Sequence, residues 1–182
     1  MWRPYGRNAS GRTFNPRELM DDTERLKHEL VELIPRLRRF ARSLTRNVAD
    51  ADDVVQLALE KALSRLDTWR RGTRLDSWMF TILRNSWLDE VRARGRRDEV
   101  ALGEEHAERL SAPSSGPESS LAIQRAVSLL PQEQRSCVLL VLVEGLSYKE
   151  TAEVLGVPIG TVTSRLARGR ESLQSILGAS PI

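Results

Sequence analysis

The stretch from Ser147 to Leu173 is punctuated so heavily that few folds remain open to it. Ser147 and Glu150 stand at the spacing of a capping box, in which each side chain satisfies an orphan amide at a helix start. Ala152, Val154 and Leu155 supply an apolar face, and Gly156 falls where a helix stops in a left-handed cap. Beyond Val157 and Pro158 the helical period resumes with Val162, Leu166 and Leu173 on one face. Thr163, Ser164, Arg165 and Arg168 lie largely outside that face. The pattern predicts two short helices around a tight turn, the second carrying three arginines and no acid before Glu171. Such a helix-turn-helix can seat its second helix in a DNA major groove. Taken alone, the segment also fits a plain helical hairpin.

The rest of the chain is helical in pattern. From Leu26 an apolar series runs through Leu30, Leu33, Ile34, Leu37, Phe40, Ala41 and Leu44. Pro35 is expected to kink this segment or to begin a new helix. An acid-rich start at Asn47 to Asp53 suits the positive end of a helix macrodipole. Val54, Val55, Ala58, Ala62, Leu63 and Leu66 continue that helix. After a loop at Asp67–Thr73, a long helix is expected from about Leu75 to Arg97, apolar on several sides in its first half. Residues 103–120 have the Pro, Gly, Ser and Glu content of a linker. The period returns at Leu121, and Pro131 suits the first turn of a further helix. Nothing alternates with period two over a useful length. The expectation is all-α: a flexible tail at 1–25, a helical domain at 26–97, an acidic linker at 98–120, a second helical domain at 121–178 and a short tail at 179–182.

Charge distribution says more than the formal net charge of +3. Arg84 to Arg97 holds five arginines against Asp89 and Glu90, and Ile159 to Arg170 holds three arginines and no acid, each a local +3. Between them, Asp98 to Ser120 carries six acids against Arg109, a local −5. Two basic patches separated by an acidic tether point to two nucleic-acid contacts. The single cysteine, Cys137, excludes an intramolecular disulfide, and its place in an apolar run marks a buried structural thiol. With His28 and His106 as the two histidines, a histidine metal site has little support, and no cofactor is expected. No stretch is long and apolar enough to span a membrane and no signal-peptide core is evident, so a cytoplasmic protein is expected. No nucleophile–base pair or phosphate loop argues for an enzyme.

Three strings then carry a resemblance: ADADDVVQLALEKAL (Ala49–Leu63), SWMFTILRNSWLDEVRAR (Ser77–Arg94) and the long run from Leu130 to Arg170. In this order and spacing they resemble a bacterial RNA polymerase sigma factor of the extracytoplasmic-function (ECF) type. That family keeps only a promoter −10-binding domain (region 2) and a −35-binding domain (region 4). The phrasing IPRLRRFARSLTRN (Ile34–Asn47) and TRLDSWMFTILRN (Thr73–Asn85) is similar to the general-stress branch of alphaproteobacteria. Members of that branch are held by a small anti-sigma factor and released by a regulator that joins a sigma-like domain to a receiver. The chain has no length for a receiver, so a sigma factor is expected over a sigma-mimicking regulator that sequesters an anti-sigma protein.

The resemblance assigns roles by position. On the recognition helix Thr161, Thr163, Ser164, Ala167 and Arg168 would face −35 bases, and Arg165 and Arg170 phosphates. Relatives often place a long basic or polar residue at the position of Thr163 and a bulkier one at that of Ala167, so the base preference is expected to differ. The loop before the long helix would capture a flipped base of the non-template strand, with Arg70, Arg71, Arg74, Arg84 and Asn85 along the strand. Trp69 either stacks on an unpaired base or plugs the core, the core reading being favoured, as it is for Trp78 and Trp87. Arg92, with Arg94, Arg96 and Arg97, either grips upstream duplex or forms a solvated helix end. Asp52, Asp53 and Gln56 match the surface that docks on the β′ clamp helices of core RNA polymerase, although capping alone also explains Asp53. The −35 domain would seat on the β flap. Promoter DNA, core polymerase and an anti-sigma factor are the partners implied.

Overall fold

A computed structural model describes residues 16–45, 47–98 and 118–178, with side chains over 23–45, 47–96 and 122–178. The expectations for residues 1–15, for most of the acidic linker, for the Arg97 side chain and for the last four residues lie outside the described residues. Every described element is helical. The order is α1 (Pro16–Thr45), α2 (Val48–Leu63), a single 3-10 turn (Leu66–Thr68), α3 (Leu75–Asp98), α4 (Glu118–Leu129), α5 (Gln132–Val138, continued by a π turn at Leu139–Val143), α6 (Tyr148–Leu155) and α7 (Ile159–Gly178).

Helices α1–α3 form the first bundle. Leu30, Leu37, Phe40, Ala41 and Leu44 of α1 are buried, as the period requires. Small residues on α2, Ala51, Ala58 and Ala62, are fully buried beside Val54 and Val55 and let the helices approach closely. Met79, Phe80 and Leu83 of α3 complete the centre, with Phe40 and Phe80 edge to face at 5.3 Å. Asn47 caps α2 by accepting from the Ala49 amide at 3.0 Å.

Several expectations change. Helix α1 begins at Pro16, ahead of Leu26, so residues 16–25 are helix and not tail; proline at a first helical position has no amide to orphan. The same helix runs through Pro35 without a new start. Pro35 and Val31 both lie on the solvent side, where water can serve the carbonyl that proline leaves unpaired. Leu63, placed by pattern on the apolar face of α2, is exposed, because it is the last residue of the helix.

The second bundle comprises α4–α7. Pro131 precedes α5, and the π turn that ends this helix is closed by the Glu144 amide donating to the Leu139 carbonyl at 2.9 Å. The inserted residue rotates the chain end: Leu142 and Val143 stand 47% and 51% exposed, and the following Glu144 is buried. The capping box of Ser147 and Glu150 is formed in both directions, and Gly156 ends α6 in the left-handed region at φ 59°. Cys137 is buried as expected, and desolvation raises its thiol pKa. The bundles pack against each other, α6 on α3 and α5 on α1, so that one continuous core runs through both. The sequence alone supplied a tether between domains but no contact between them.

Candidate nucleic-acid interface

Helix α7 is anchored by Val162 and Leu166, both buried, and its opposite side is open. Thr163, Ser164, Ala167, Arg168 and Arg170 are exposed together on that side, with Thr161 half-buried at its start. The Thr163 hydroxyl donates to the Ile159 carbonyl at 3.1 Å and the Ser164 hydroxyl to the Thr161 carbonyl at 3.1 Å. These bonds consume the hydroxyl protons and leave the oxygens as acceptors toward a groove. Arg165 differs from its neighbours: it is ion-paired to Glu133 of α5 at 2.7 Å. It braces α7 against α5 and presents only part of its guanidinium. No acid lies between Ile159 and Arg170, so the exposed side is uniformly basic.

The loop and α3 carry the second set. Arg70 and Arg71 are exposed in the loop, and Gly72 makes its turn at φ 87°, a region that favours glycine. Trp69 packs against the core with its indole Nε1–H buried and unpaired, which favours the core reading over an open stacking platform. Trp78 and Trp87 are likewise partly buried against the core. Asn85 is exposed, and Arg92 is exposed with Asp89 3.6 Å away. Arg94 is turned inward instead: its guanidinium donates to both carboxylate oxygens of Asp50, at 3.1 and 3.2 Å, and to Glu90 at 3.1 Å. Those bonds raise its pKa and tie α3 to the start of α2.

Arg74 and Arg84 are placed where the two bundles meet. Arg74 donates to Asp76 at 2.7 and 3.0 Å and to the Gly145 carbonyl at 2.9 Å, and it lies 3.6 Å from Glu150. Arg84 lies against Gly156 and pairs with no carboxylate among the described residues. Burial, then the charges of Arg92 and Arg165, holds its pKa below the ordinary arginine value. Positive charge from α3 and α7 therefore converges on Arg84, although Arg92 and Arg165 each have an acid nearby.

The proposed polymerase-docking residues lie together on the outer side of α2. Asp53 and Gln56 are exposed, and Asp52 is half-exposed and paired with Arg38 at 3.0 Å. Gln56 donates to Glu60 one turn on, at 3.1 Å.

Sequence reasoning missed the junction itself. Arg36 and Arg39 of α1 converge on Glu144, and Arg36 also binds Asp76. A signal existed: Glu144 is the single acid between Glu133 and Glu150 and directly follows an apolar run. An acid in that position is either a surface terminus or a buried partner, and long-range packing decides which. Among the described residues no group of His, Cys, Asp and Glu could hold a metal ion, and no helix is long and apolar enough to cross a membrane.

Comparison with known proteins agrees with this geometry. The model of sigma-70 region 2 matches residues 30–97, and that of sigma-70 region 4 matches residues 120–173. The chain is 37% identical over 158 residues to the ECF RNA polymerase sigma factor EcfG of Rhodopseudomonas palustris (strain TIE-1), covering 85% of this chain and 86% of that one. It is similar to the sigma factor RpoE as solved in complex with the anti-sigma factor NepR from Bartonella quintana, with a TM-score of 0.73 and 35% identity over 85% of this chain and 98% of that one. A PhyRSL–NepR complex from Sphingomonas sp. Fr1 shares the fold, with a TM-score of 0.62 and 20% identity over 86% of this chain and 92% of that one.

Proposed function

The chain belongs to the ECF RNA polymerase sigma factors, which are initiation factors and not enzymes, and from that premise we propose that it directs core polymerase to promoters through two separate DNA contacts. In this reading α7 enters the major groove of the −35 element, with Thr161, Thr163, Ser164, Ala167 and Arg168 at base edges and Arg165 and Arg170 at phosphates. The loop and α3 capture the −10 non-template strand through Arg70, Arg71, Arg74, Arg84, Asn85 and Arg92, with Trp69 holding the loop from beneath. Trapping a flipped base offsets the unstacking cost of melting. Asp52, Asp53 and Gln56 dock on the β′ clamp helices, and the second bundle seats on the β flap.

The observation that carries the reading is the exposed, acid-free side of α7 within a matched region 4. A sigma-like domain that only sequesters an anti-sigma protein has no need of that basic side. Likeness to EcfG supports the general-stress branch, and likeness to RpoE bound to NepR supports control by a small anti-sigma factor in the cytoplasm. Run-off transcription with purified chain and core polymerase tests the proposal. Promoter-specific transcripts are expected; their absence, together with tight binding of an anti-sigma protein, favours the sequestering regulator.

A further inference from the structure

The junction between the bundles is built around one carboxylate. Glu144 closes the π turn of α5 with its side chain only 1% exposed. Its Oε2 accepts from Arg36 Nε at 2.6 Å and its Oε1 from Arg39 at 2.8 Å. Arg36 also donates to the Glu144 carbonyl at 3.2 Å and to Asp76 at 2.9 Å, and its guanidinium lies 5.7 Å above the Phe80 ring. Burial opposes the charge on Arg36, but Glu144 and Asp76 outweigh it and raise the pKa. Beside this centre, Arg74 faces the Gly145 carbonyl and Glu150. Arg84 lies against the end of α6, with Nη1 3.2 Å from where a Gly156 Cβ would stand.

All four arginines come from region 2, and the groups they meet across the junction come from region 4. Two of them, Arg74 and Arg84, are strand-contact residues in the reading above. A carboxylate and a phosphate compete for the same guanidinium fork, so Glu150 and the Gly145 carbonyl hold Arg74 in a place that DNA would need. Helix α6 lies over the part of α3 that carries Arg84. We propose that region 4 masks the −10 strand-capture face of region 2 in the free chain, through a latch centred on Glu144, and that the latch must open before single-stranded DNA is held. This proposal rests on the strand-capture reading and adds its regulation.

The energetics suit a reversible device. Desolvating Glu144 and Arg36 offsets much of their attraction, and both recover water when the junction opens, so a buried pair of this kind holds closed without welding shut. Removing the carboxylate has the opposite effect: Arg36 keeps its bond to Asp76 and Arg39 reaches solvent, both within region 2, so the attraction across the junction is lost and the closed state is disfavoured relative to the open one. The carboxylate is therefore the point at which a single substitution shifts the balance.

The test uses the full chain as wild type, Glu144→Ala and Arg39→Ala. The last keeps the Arg36 pair and serves if Glu144→Ala does not fold. Small-angle scattering reads opening, and anisotropy of a fluorescein-labelled single-stranded DNA of random sequence reads unmasking. The radius of gyration is expected to rise, and the apparent Kd to tighten by about tenfold if the open fraction grows from about a tenth to nearly all. Adding Arg74→Ala and Arg84→Ala should abolish that gain. Unchanged scattering, unchanged affinity despite opening, or a gain that survives loss of both arginines each overturns the latch. The sigma reading fails separately, in run-off transcription by the wild type; a chain that opens and binds strand yet yields no transcript keeps the latch and loses the promoter role.

Discussion

Gly169 of α7 and Val138 of α5 meet so closely that a Cβ on the glycine would stand 2.8 Å from Val138 Cγ2. The α5–α7 crossing has no room for one methyl group, and Gln134, one turn earlier on α5, closes the same space with its Cβ and backbone carbonyl at 3.6 and 3.7 Å. Gly169 lies between Arg168 and Arg170, so this contact also sets which side of α7 is presented outward. Gly169→Ala is therefore expected to destabilise, although alanine is the better helix former by about 1 kcal/mol. Overpacking of this kind costs about 1–3 kcal/mol, and the net loss should appear as a lower thermal midpoint. An unchanged or raised midpoint would show that α7 can shift away from Val138 at no cost.

Acid should loosen the junction through Asp76. Burial works to raise its pKa, but hydrogen bonds and charge from Arg74 and Arg36 prevail and hold it below the ordinary 3.8. A carboxyl depressed in the folded chain contributes stability that is fully present above its unfolded pKa and is lost as pH falls through the folded value. Glu150, lowered by its hydrogen bonds to Ser147, acts in the same direction below its ordinary 4.5. The urea midpoint should thus be flat toward neutral pH and fall below about pH 4.5. Asp76→Asn should be less stable at neutral pH and show a shallower decline in acid. A decline as steep as the wild type's would remove Asp76 as a contributor.

What could be read from the sequence was whatever is local. Ser147, Glu150 and Gly156 each bond groups no more than four residues away, and each does what its spacing implied. The apolar period of α1 and the many-sided burial of early α3 were equally legible, because periodicity reports a face directly. The junction was not. Arg36 and Glu144 are separated by most of the chain, and nothing in a run such as Cys137 to Val143 announces that a π turn will aim the next residue inward. Arg74, Arg84 and Arg94 illustrate the same limit: their charge was evident, but their partners depend on packing between elements. The candidate DNA surfaces are legible as residues, and the packing of α6 on α3 that brings Arg74 and Arg84 to a junction is visible only in three dimensions.

Arg165 and Arg168 offer a separation of structural from DNA roles on one helix. Arg168 is exposed and Arg165 is tied to Glu133 at 2.7 Å. Arg168→Ala should leave the thermal midpoint unchanged, weaken binding to duplex DNA and reduce the salt dependence by about one phosphate equivalent if it contacts phosphate. Arg165→Ala should weaken binding and also lower the midpoint slightly, since a partly exposed pair contributes about 0–1 kcal/mol. Isothermal binding to a promoter duplex across a salt series, beside melting of each variant, separates the two. Equal affinity and equal salt slope for wild type and Arg168→Ala would take Arg168 off the DNA.

The outer side of α2 provides the sharpest division between folding and partner binding. Asp53 is exposed and forms no ion pair among the described residues, whereas Ala51, Val54 and Val55 on the inner side are buried. Asp53→Lys should accordingly change stability by no more than about 0.5 kcal/mol. If α2 docks on a surface of core polymerase that this carboxylate complements, reversing its charge places like charges together and should weaken binding by about tenfold or more. Gln56→Ala removes a hydrogen bond to Glu60 and a polar contact without adding charge, so its effect should be smaller. Fluorescence anisotropy of labelled chain titrated with core polymerase measures both, with melting curves as the control for folding. Undiminished binding by Asp53→Lys would place the docking surface elsewhere on the chain, even with transcription intact.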